Sequence, residues 1–337
     1  MNAGQAGLKL FTLILLTLLA LGIFVDLAVG EVNIPPRCLL GCANGAYRLI
    51  ILDIRMPEAI ASIVVGAVLG LSGASMQHML RNPLADPYTT GIAGSAVVGA
   101  LLGYLLAVAG KLTGAWALLS IQALSATLAL ASSIIVAVAG FGLGPTGIIL
   151  LGLLVTLLSY IATIFLVMAI ESINPLITLQ PLYIMYGDLS AVTWSDVLVM
   201  SIALTPLIPL AGRLRMLDLV ALGDDVASSS GVNPNYVRAI FTALPSIPLA
   251  SALAYTGVIG FVGIIAPYLV RHAVGRGSAT VVLPLSAIAG SVILEYADAL
   301  SKVLVKGYVM PITAVTGIIG IPLIIYMVAK GGLGVYA

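Results

Sequence analysis

Side chains able to do chemistry are few in this 337-residue chain, and their spacing limits what that chemistry could be. Cys38 and Cys42 are the two thiols. On an extracytoplasmic surface they could pair as a small disulfide, and two free thiols in a loop fit as well; two ligands alone make a poor metal site. His272, beside Arg271, reads as a solvated helix-end residue rather than a proton relay or a metal ligand. Glu295, Asp298 and Lys302 fall on one face of a helix, where Asp298 and Lys302 can form a local ion pair worth a few tenths of a kcal/mol if exposed. The glycine-rich run from Gly140 to Gly147 lacks the G-x-x-x-x-G-K-[S/T] spacing of a phosphate-binding loop, so nucleotide hydrolysis is not expected of this chain. The largest concentration of charge is the stretch Arg213 to Arg238, which holds Arg213, Arg215, Asp218, Asp224, Asp225 and Arg238. Leu217 to Ser230 reads as one or two short helices broken at Gly223 and Gly231, with Asn233 and Pro234 as the cap and first turn of the next helix. Such an island is either a solvated loop or a surface for a soluble partner.

The elements around these residues are almost pure hydrocarbon. The chain is 61% hydrophobic and 8% charged, against roughly 25% charged in soluble domains. In a bilayer every backbone amide must be satisfied within the protein, which leaves helix bundles or closed barrels. The apolar runs are unbroken and about twenty residues long, the length that spans the hydrocarbon core as a helix. The fold class is therefore all-α, a polytopic membrane helix bundle forming a single transmembrane domain. Ten transmembrane helices are expected at about 8–30, 57–80, 88–109, 115–139, 146–170, 192–212, 234–257, 259–274, 280–304 and 309–330, with a polar loop at about 213–233. The 171–191 connection has room for a further half-helix. Helices two to five and seven to ten form two four-helix groups entering from opposite sides, the layout of an inverted repeat. Lys9 opens a retained first helix rather than a cleaved signal. The net charge is +1 with no basic run, so nothing points to nucleic acid. Counting Lys and Arg by side leans towards cytoplasmic N- and C-termini.

Four segments carry a resemblance to a known family. From Arg55 the chain reads RMPEAIASIVVGAVLGLSGASMQHMLRNPLADP; Gly144-Pro145-Thr146 precedes the fifth helix; Leu217 begins LDLVALGDDVASSSGV; and Tyr255 begins YTGVIGFVGIIAPYLVR. Together with the Glu295 to Lys302 segment, these resemble permeases of the FecCD type, the importers of iron-siderophores, haem and cobalamin. The likeness covers residues 55 to 330. It implies a homodimer in the cytoplasmic membrane, surrounded by lipid, with two separate ATPase subunits beneath it and an extracytoplasmic substrate-binding protein above. ATP and Mg would belong to the ATPase, and this chain would hold no cofactor of its own. Asn82 and Leu84, in the double-proline turn, would form the inner gate together with Pro145 and Thr146. Leu217, Ala221, Leu222, Gly223, Asp224, Asp225, Ala227 and Gly231 would couple to the ATPase. Arg55 and Lys302 would lie at the outer surface and meet carboxylates of the binding protein. Gly66, Gly70, Gly73, Gly257, Gly260 and Gly263 would allow close helix packing and a tight reversal. The chain departs from the family pattern at Glu58, where a second arginine is usual, at Gly144 for a serine, and at Tyr268 for a histidine.

The competing class is a secondary transporter or channel driven by an ion gradient. Those proteins hold acids or bases at mid-membrane, whereas Asp26, Glu295 and Asp298 are expected towards helix ends. An oxyanion such as molybdate is the alternative cargo, and a scaffold subunit without transport has no feature in its favour.

Overall fold

The computed structural model describes residues 3–30, 32, 34–39, 45–139, 143–175, 179–275, 277–305 and 307–329. Cys42, Arg276, Lys306 and Lys330 fall outside them; Cys38 is disulfide-bonded. The order is α1 (Ala3–Ala28), α2 (Pro36–Leu39), α3 (Gly45–Leu49), α4 (Met56–Leu80), α5 (Ile92–Val108), α6 (Ala115–Ala139), α7 (Gly144–Ile173) and α8 (Leu179–Tyr186). It continues with α9 (Trp194–Ile202), α10 (Ile208–Ala211), α11 (Leu214–Leu222), α12 (Asp224–Ser229), α13 (Pro234–Thr256), α14 (Val262–Val274), α15 (Ala279–Ser301) and α16 (Ile312–Ala329). Seven helical stretches are long and apolar enough to cross a bilayer, and three shorter apolar helices, Ile92–Val108, Val262–Val274 and Ile312–Met327, bring the number to ten among the described residues.

The middle of the bundle is α4, which packs against α13, α14 and α15, while α5 packs against α6 and α7. Close approach depends on absent side chains. A Cβ on Gly66 would stand 2.5 Å from Gly290 O, one on Gly70 would collide with the Ser286 carbonyl, and one on Gly73 with that of Gly263. Gly290 is equally tight against Gly66. So α4 meets α15 and α14 backbone to backbone, the contact that gives helices cohesion in lipid, where apolar burial gains nothing.

Two departures from the expected spans have proline as their cause. The expected 192–212 helix is broken: α9 ends at Ile202, and a 3-10 turn at Thr205–Leu207 precedes α10. Pro206 has no amide to continue the ladder, and Leu207 N instead bonds Leu204 O at 2.9 Å. At the other site, Pro57 does not begin the helical path. A π-helical turn at Ile50–Arg55 runs straight into α4; Pro57 has no amide to donate back into it, and Met56 N bonds Ile51 O, five residues back.

Prolines are tolerated inside α13 because neighbours satisfy what they release. Pro245 cannot donate to Phe241 O, and Ser75 Oγ from α4 donates to that carbonyl at 3.3 Å. Asn233 caps the same helix, its Oδ1 accepting from Asn235 N at 3.0 Å and Tyr236 N at 3.3 Å.

Candidate functional site

The two short helices of the polar island lie at the end of the bundle where α4 finishes and α13 and α15 begin. Their inner face is apolar: Leu217, Val220 and Ala227 are buried. Their outer face carries Leu222, 71% exposed, with Val226, Asp225, Ser228 and Gly231 also exposed and Ala221 between the two faces. Gly223, at φ +139°, turns the chain between the helices in a region that suits glycine. Leu222 and Val226 are thus exposed apolar side chains set among polar ones.

Two carboxylates tie this island to the spanning helices. Asp218 accepts from Ala279 N at 2.6 Å, supplying an acceptor to the first turn of α15. Burial pushes Asp218 up from the usual carboxylate range, and the Ala279 amide offsets part of that. Asp224 pairs with Arg81, immediately after α4, and with Arg238 of α13 at 2.5 Å. Burial alone would raise the Asp224 carboxyl, but hydrogen bonding and charge from Arg238, then Arg81, hold it below its ordinary value. A carboxylate depressed in the folded state contributes stability that is complete above its unfolded value and lost only as pH falls through the folded one. The Asp224 link is therefore expected to be indifferent to pH between neutrality and about pH 5, well above the ordinary value near 3.9. A pH series of thermal unfolding on Asp224→Asn against the parent, with a constant difference over that window, checks this.

The turn that follows α4 is built on the same link. Arg81 adopts a left-handed conformation (φ 50°, ψ 36°) unusual for a side chain with a Cβ. Its guanidinium is held by Asp224 while its backbone hands the chain to Asn82, whose Oδ1 accepts from Leu84 N at 2.9 Å. Asp86 Oδ1 then accepts from Tyr88 N and Thr89 N at 3.0 and 2.9 Å. Asn82 and Leu84 are half-buried. On α7, Gly152 packs on the backbone of Thr89 and Thr90. Pro145 and Thr146, half-exposed and exposed, open the same helix about two turns earlier. Arg271, buried in α14, bonds Gln77 of α4, and exposed His272 stacks on Tyr268 at 5.9 Å.

Gly257, at φ +68°, lies against the carbonyls of Tyr183 and Ile184 of α8, and Gly260 faces Thr313 and Tyr88. Thr313 Oγ1 accepts from Gly260 N at 2.9 Å and donates to Val258 O at 3.0 Å. Phe261, also left-handed at φ 69°, places its ring over Gly317 and Gly320. Beside it opens a cavity of about 600 Å³ walled by Tyr186, Phe261, Pro311, Thr313, Gly317, Ile318 and Ile321, among others, with no charged residue in the wall.

At the opposite end the expected placement of Arg55 and Lys302 does not hold. Both are buried within the chain. Lys302 Nζ lies 2.8 Å from Asp26, 3.0 Å from Glu58 and 2.7 Å from Asp298. Arg55 donates to Leu27 O at 2.7 Å and to Val32 O, holding the end of α1. Three carboxylates from three helices draw the ammonium inward, and Glu58 is consumed in the same contact instead of facing outward. Replacing Arg55 with Ala would strand two carbonyls at the end of α1. The expected loss is about 1–3 kcal/mol of stability, read as a lower unfolding midpoint in detergent.

The sequence reading singled out Asp224 and Asp225 together. The structure separates them, Asp224 facing inward onto two arginines and Asp225 outward. Arg81, Gln77 and Asp26 lie 143, 194 and 276 residues from the groups they meet, so spacing does not pair them; Arg238 meets Asp224 from 14 residues away, across the breaks at Gly231 and Pro234.

Comparisons with known proteins agree with this architecture. The chain is 33% identical over 333 residues to a hemin transport system permease of Yersinia pestis, covering 95% of this chain and 94% of that protein. It is 32% identical over 328 residues to a vitamin B12 import system permease of Vibrio vulnificus, covering 97% and 94%. A solved ABC transporter in an inward-facing conformation, described as metal-chelate type, superposes with a TM-score of 0.80 at 23% identity, covering 96% of this chain and 99% of that one. The model of the FecCD transport family matches residues 18–330. With the ten apolar spans, the polar two-helix island and the double-proline turn in place, the chain belongs to the FecCD transport family.

Proposed function

We propose that the chain is the permease subunit of a binding-protein-dependent ABC importer that moves a metal chelate of the iron-siderophore, haem or cobalamin class. The observation that carries this reading is Asp224, one side chain that joins the partner-facing helices α11 and α12 to the ends of α4 and α13. In the working assembly two copies pair around a central path, and a separate ATPase, holding ATP and Mg, docks under each copy on Leu222 and Val226. That places α11, α12 and both termini in the cytoplasm. ATP-driven closure shifts α11 and α12, and the Arg81–Leu84 turn follows as one rigid piece. The uncharged cavity wall supports a bulky chelate over an oxyanion, which would find no cation there. The test is reconstitution of the chain and its ATPase in liposomes, with the binding protein supplied on the substrate side and uptake measured for haem, cobalamin, a ferric siderophore and molybdate. ATP-dependent uptake of molybdate alone would reject the chelate reading.

Leu222→Asp is expected to weaken ATPase association at least tenfold, the equivalent of about 1.4 kcal/mol, without reducing the amount of folded permease. Co-purification of the two subunits checks it. With Arg55 and Lys302 buried, Arg48, exposed on α3, supports docking of an acidic binding protein instead. Arg48→Glu is expected to slow association at low salt and to lose that effect at high salt, as surface plasmon resonance would report.

A further inference from the structure

Among the described residues, Arg81 and Phe261 hold a positive φ without being glycine. Arg81 has its reason in Asp224. Phe261, at φ 69° and ψ −31°, has no such partner for its side chain, and glycine would rest there without strain. A backbone of this kind persists only where its surroundings hold it. The Gly260 amide donates to Thr313 Oγ1 at 2.9 Å, and the Gly260 carbonyl accepts from Thr316 Oγ1 at 3.0 Å. The Phe261 carbonyl accepts from Ile264 N and Ile265 N at 3.0 and 2.9 Å, which opens α14. Thr313, Thr316, Gly317 and Gly320 share one face of α16. The two threonines grip the turn, and the two glycines leave a seat for the ring. A Cβ on Gly317 would stand 3.2 Å from the Phe261 ring, and one on Gly320 2.9 Å from it. The half-buried ring is also part of the wall of the 600 Å³ cavity. Non-helical backbone at membrane depth is tolerated where it is buried in protein or lines a cavity, and residues 257–261, between α13 and α14, meet that condition at Phe261.

We propose that Phe261 sets the width of this cavity, and with it the bulk of the chelate that passes. The specificity role rests on the importer reading above; the width does not. A ring needed only to fill space could stand on α16 itself, at ordinary helical backbone, with glycine at position 261. The arrangement is the reverse: the glycines are on the helix and the ring is on the strained turn. There the ring is anchored by its own backbone, which α16 holds through Gly260. The space left beside it, walled also by Tyr186, Ile318 and Ile321, is therefore of fixed width. Glycine at 261 would relieve the turn and add the volume of the ring to the cavity in one step.

The test places a thiol in the same wall, Ala314→Cys, in the full-length protein in liposomes; Cys38 is disulfide-bonded and does not compete. Rates of reaction with N-ethylmaleimide and with the bulkier fluorescein maleimide give a ratio that reads the width. Phe261→Gly is expected to raise the bulky-to-small ratio about tenfold, the lower end of what the fit of one methylene is worth in an apolar pocket. Phe261→Leu, which keeps an apolar packing group, should raise it less, and it serves alone if the glycine variant does not fold. A thiol at Ile319, exposed on α16 but outside that wall, should be indifferent to either change. Unfolding midpoints check the seat: Gly320→Ala should destabilise the parent and be close to neutral in Phe261→Gly. In the liposome uptake assay, haem, cobalamin and the ferric siderophore are each compared with a fluorophore-tagged, bulkier form. For the chelate that the parent carries, Phe261→Gly should raise tagged over untagged uptake, again about tenfold. A parent that carries none would reject the importer reading and the specificity role with it, while the thiol ratio still decides the width. An unchanged thiol ratio in both variants would overturn the proposal, as would a widened cavity with unchanged relative uptake in a parent that transports.

Discussion

Asp224→Asn should leave ATP hydrolysis running while uptake falls about ten- to a hundredfold, the equivalent of losing a charge-assisted contact worth about 1.5–3 kcal/mol. Asn keeps the size of Asp and one acceptor oxygen, but not the charge that holds two arginines at once. Arg238 is the more exacting partner, because its side chain is only 4% exposed and has no route to water. Arg81, at 30%, can be rehydrated. Leu222 and Val226, the proposed ATPase contacts, are untouched, so docking and turnover are expected to persist. What is lost is transmission to the turn that begins at Arg81. Asp224 is itself 42% exposed, so the cost to folding should fall below the 3–5 kcal/mol of a fully enclosed pair. Asp225→Asn, exposed alongside it, is the matched control and should be close to silent. Parallel measurement of hydrolysis and uptake in the same liposomes separates a broken link from a broken dock.

Gly70→Ala should be among the most destructive single methyl groups at the described glycines, together with Gly73→Ala, whose Cβ would strike the Gly263 carbonyl. A Cβ on Gly70 would collide with the Ser286 carbonyl, which belongs to a helix backbone and cannot rotate aside. Overpacking of this kind costs about 1–3 kcal/mol or more, and here it forces α4 and α15 apart along their whole contact. Gly290→Ala, the reciprocal change on α15, should behave alike, since its Cβ would strike the Gly66 carbonyl. Gly263→Ala should be mild by comparison, because its nearest neighbours, Leu69 O and Pro87 Cδ, are 3.4 Å away. Unfolding midpoints of the three variants test the ranking; a Gly263→Ala protein less stable than Gly70→Ala would contradict the backbone-contact account.

The spanning helices were legible because a bilayer demands unbroken apolar length, and length can be read without knowing any partner. The double-proline turn was legible for a similar reason, since Pro83 and Pro87 act on their own backbone. The charged contacts were not. Asp26 meets Lys302 from 276 residues away, and Arg81 meets Asp224 from 143. Nothing local says which of four carboxylates a lysine will choose. Only the i,i+4 pair of Asp298 and Lys302 could be read from spacing, and the outer-surface placement of Lys302 came from the family resemblance. The break at Thr205–Leu207 was hidden because apolar length continues through Pro206 and Pro209, and hydropathy does not register a missing amide. Glycine spacing marked α4 as a packing surface, but not that Gly66 and Gly70 face α15 while Gly73 faces α14.

Movement of α11 and α12 is expected to reach the Asn82–Leu84 turn through Asp224. Spin labels at position 84 in the two copies of a reconstituted dimer report it directly, as the distance between them with and without ATP. The distance is expected to change on ATP binding in the parent and to stay fixed in Asp224→Asn, with hydrolysis continuing in both. An equal change in Asp224→Asn would contradict it.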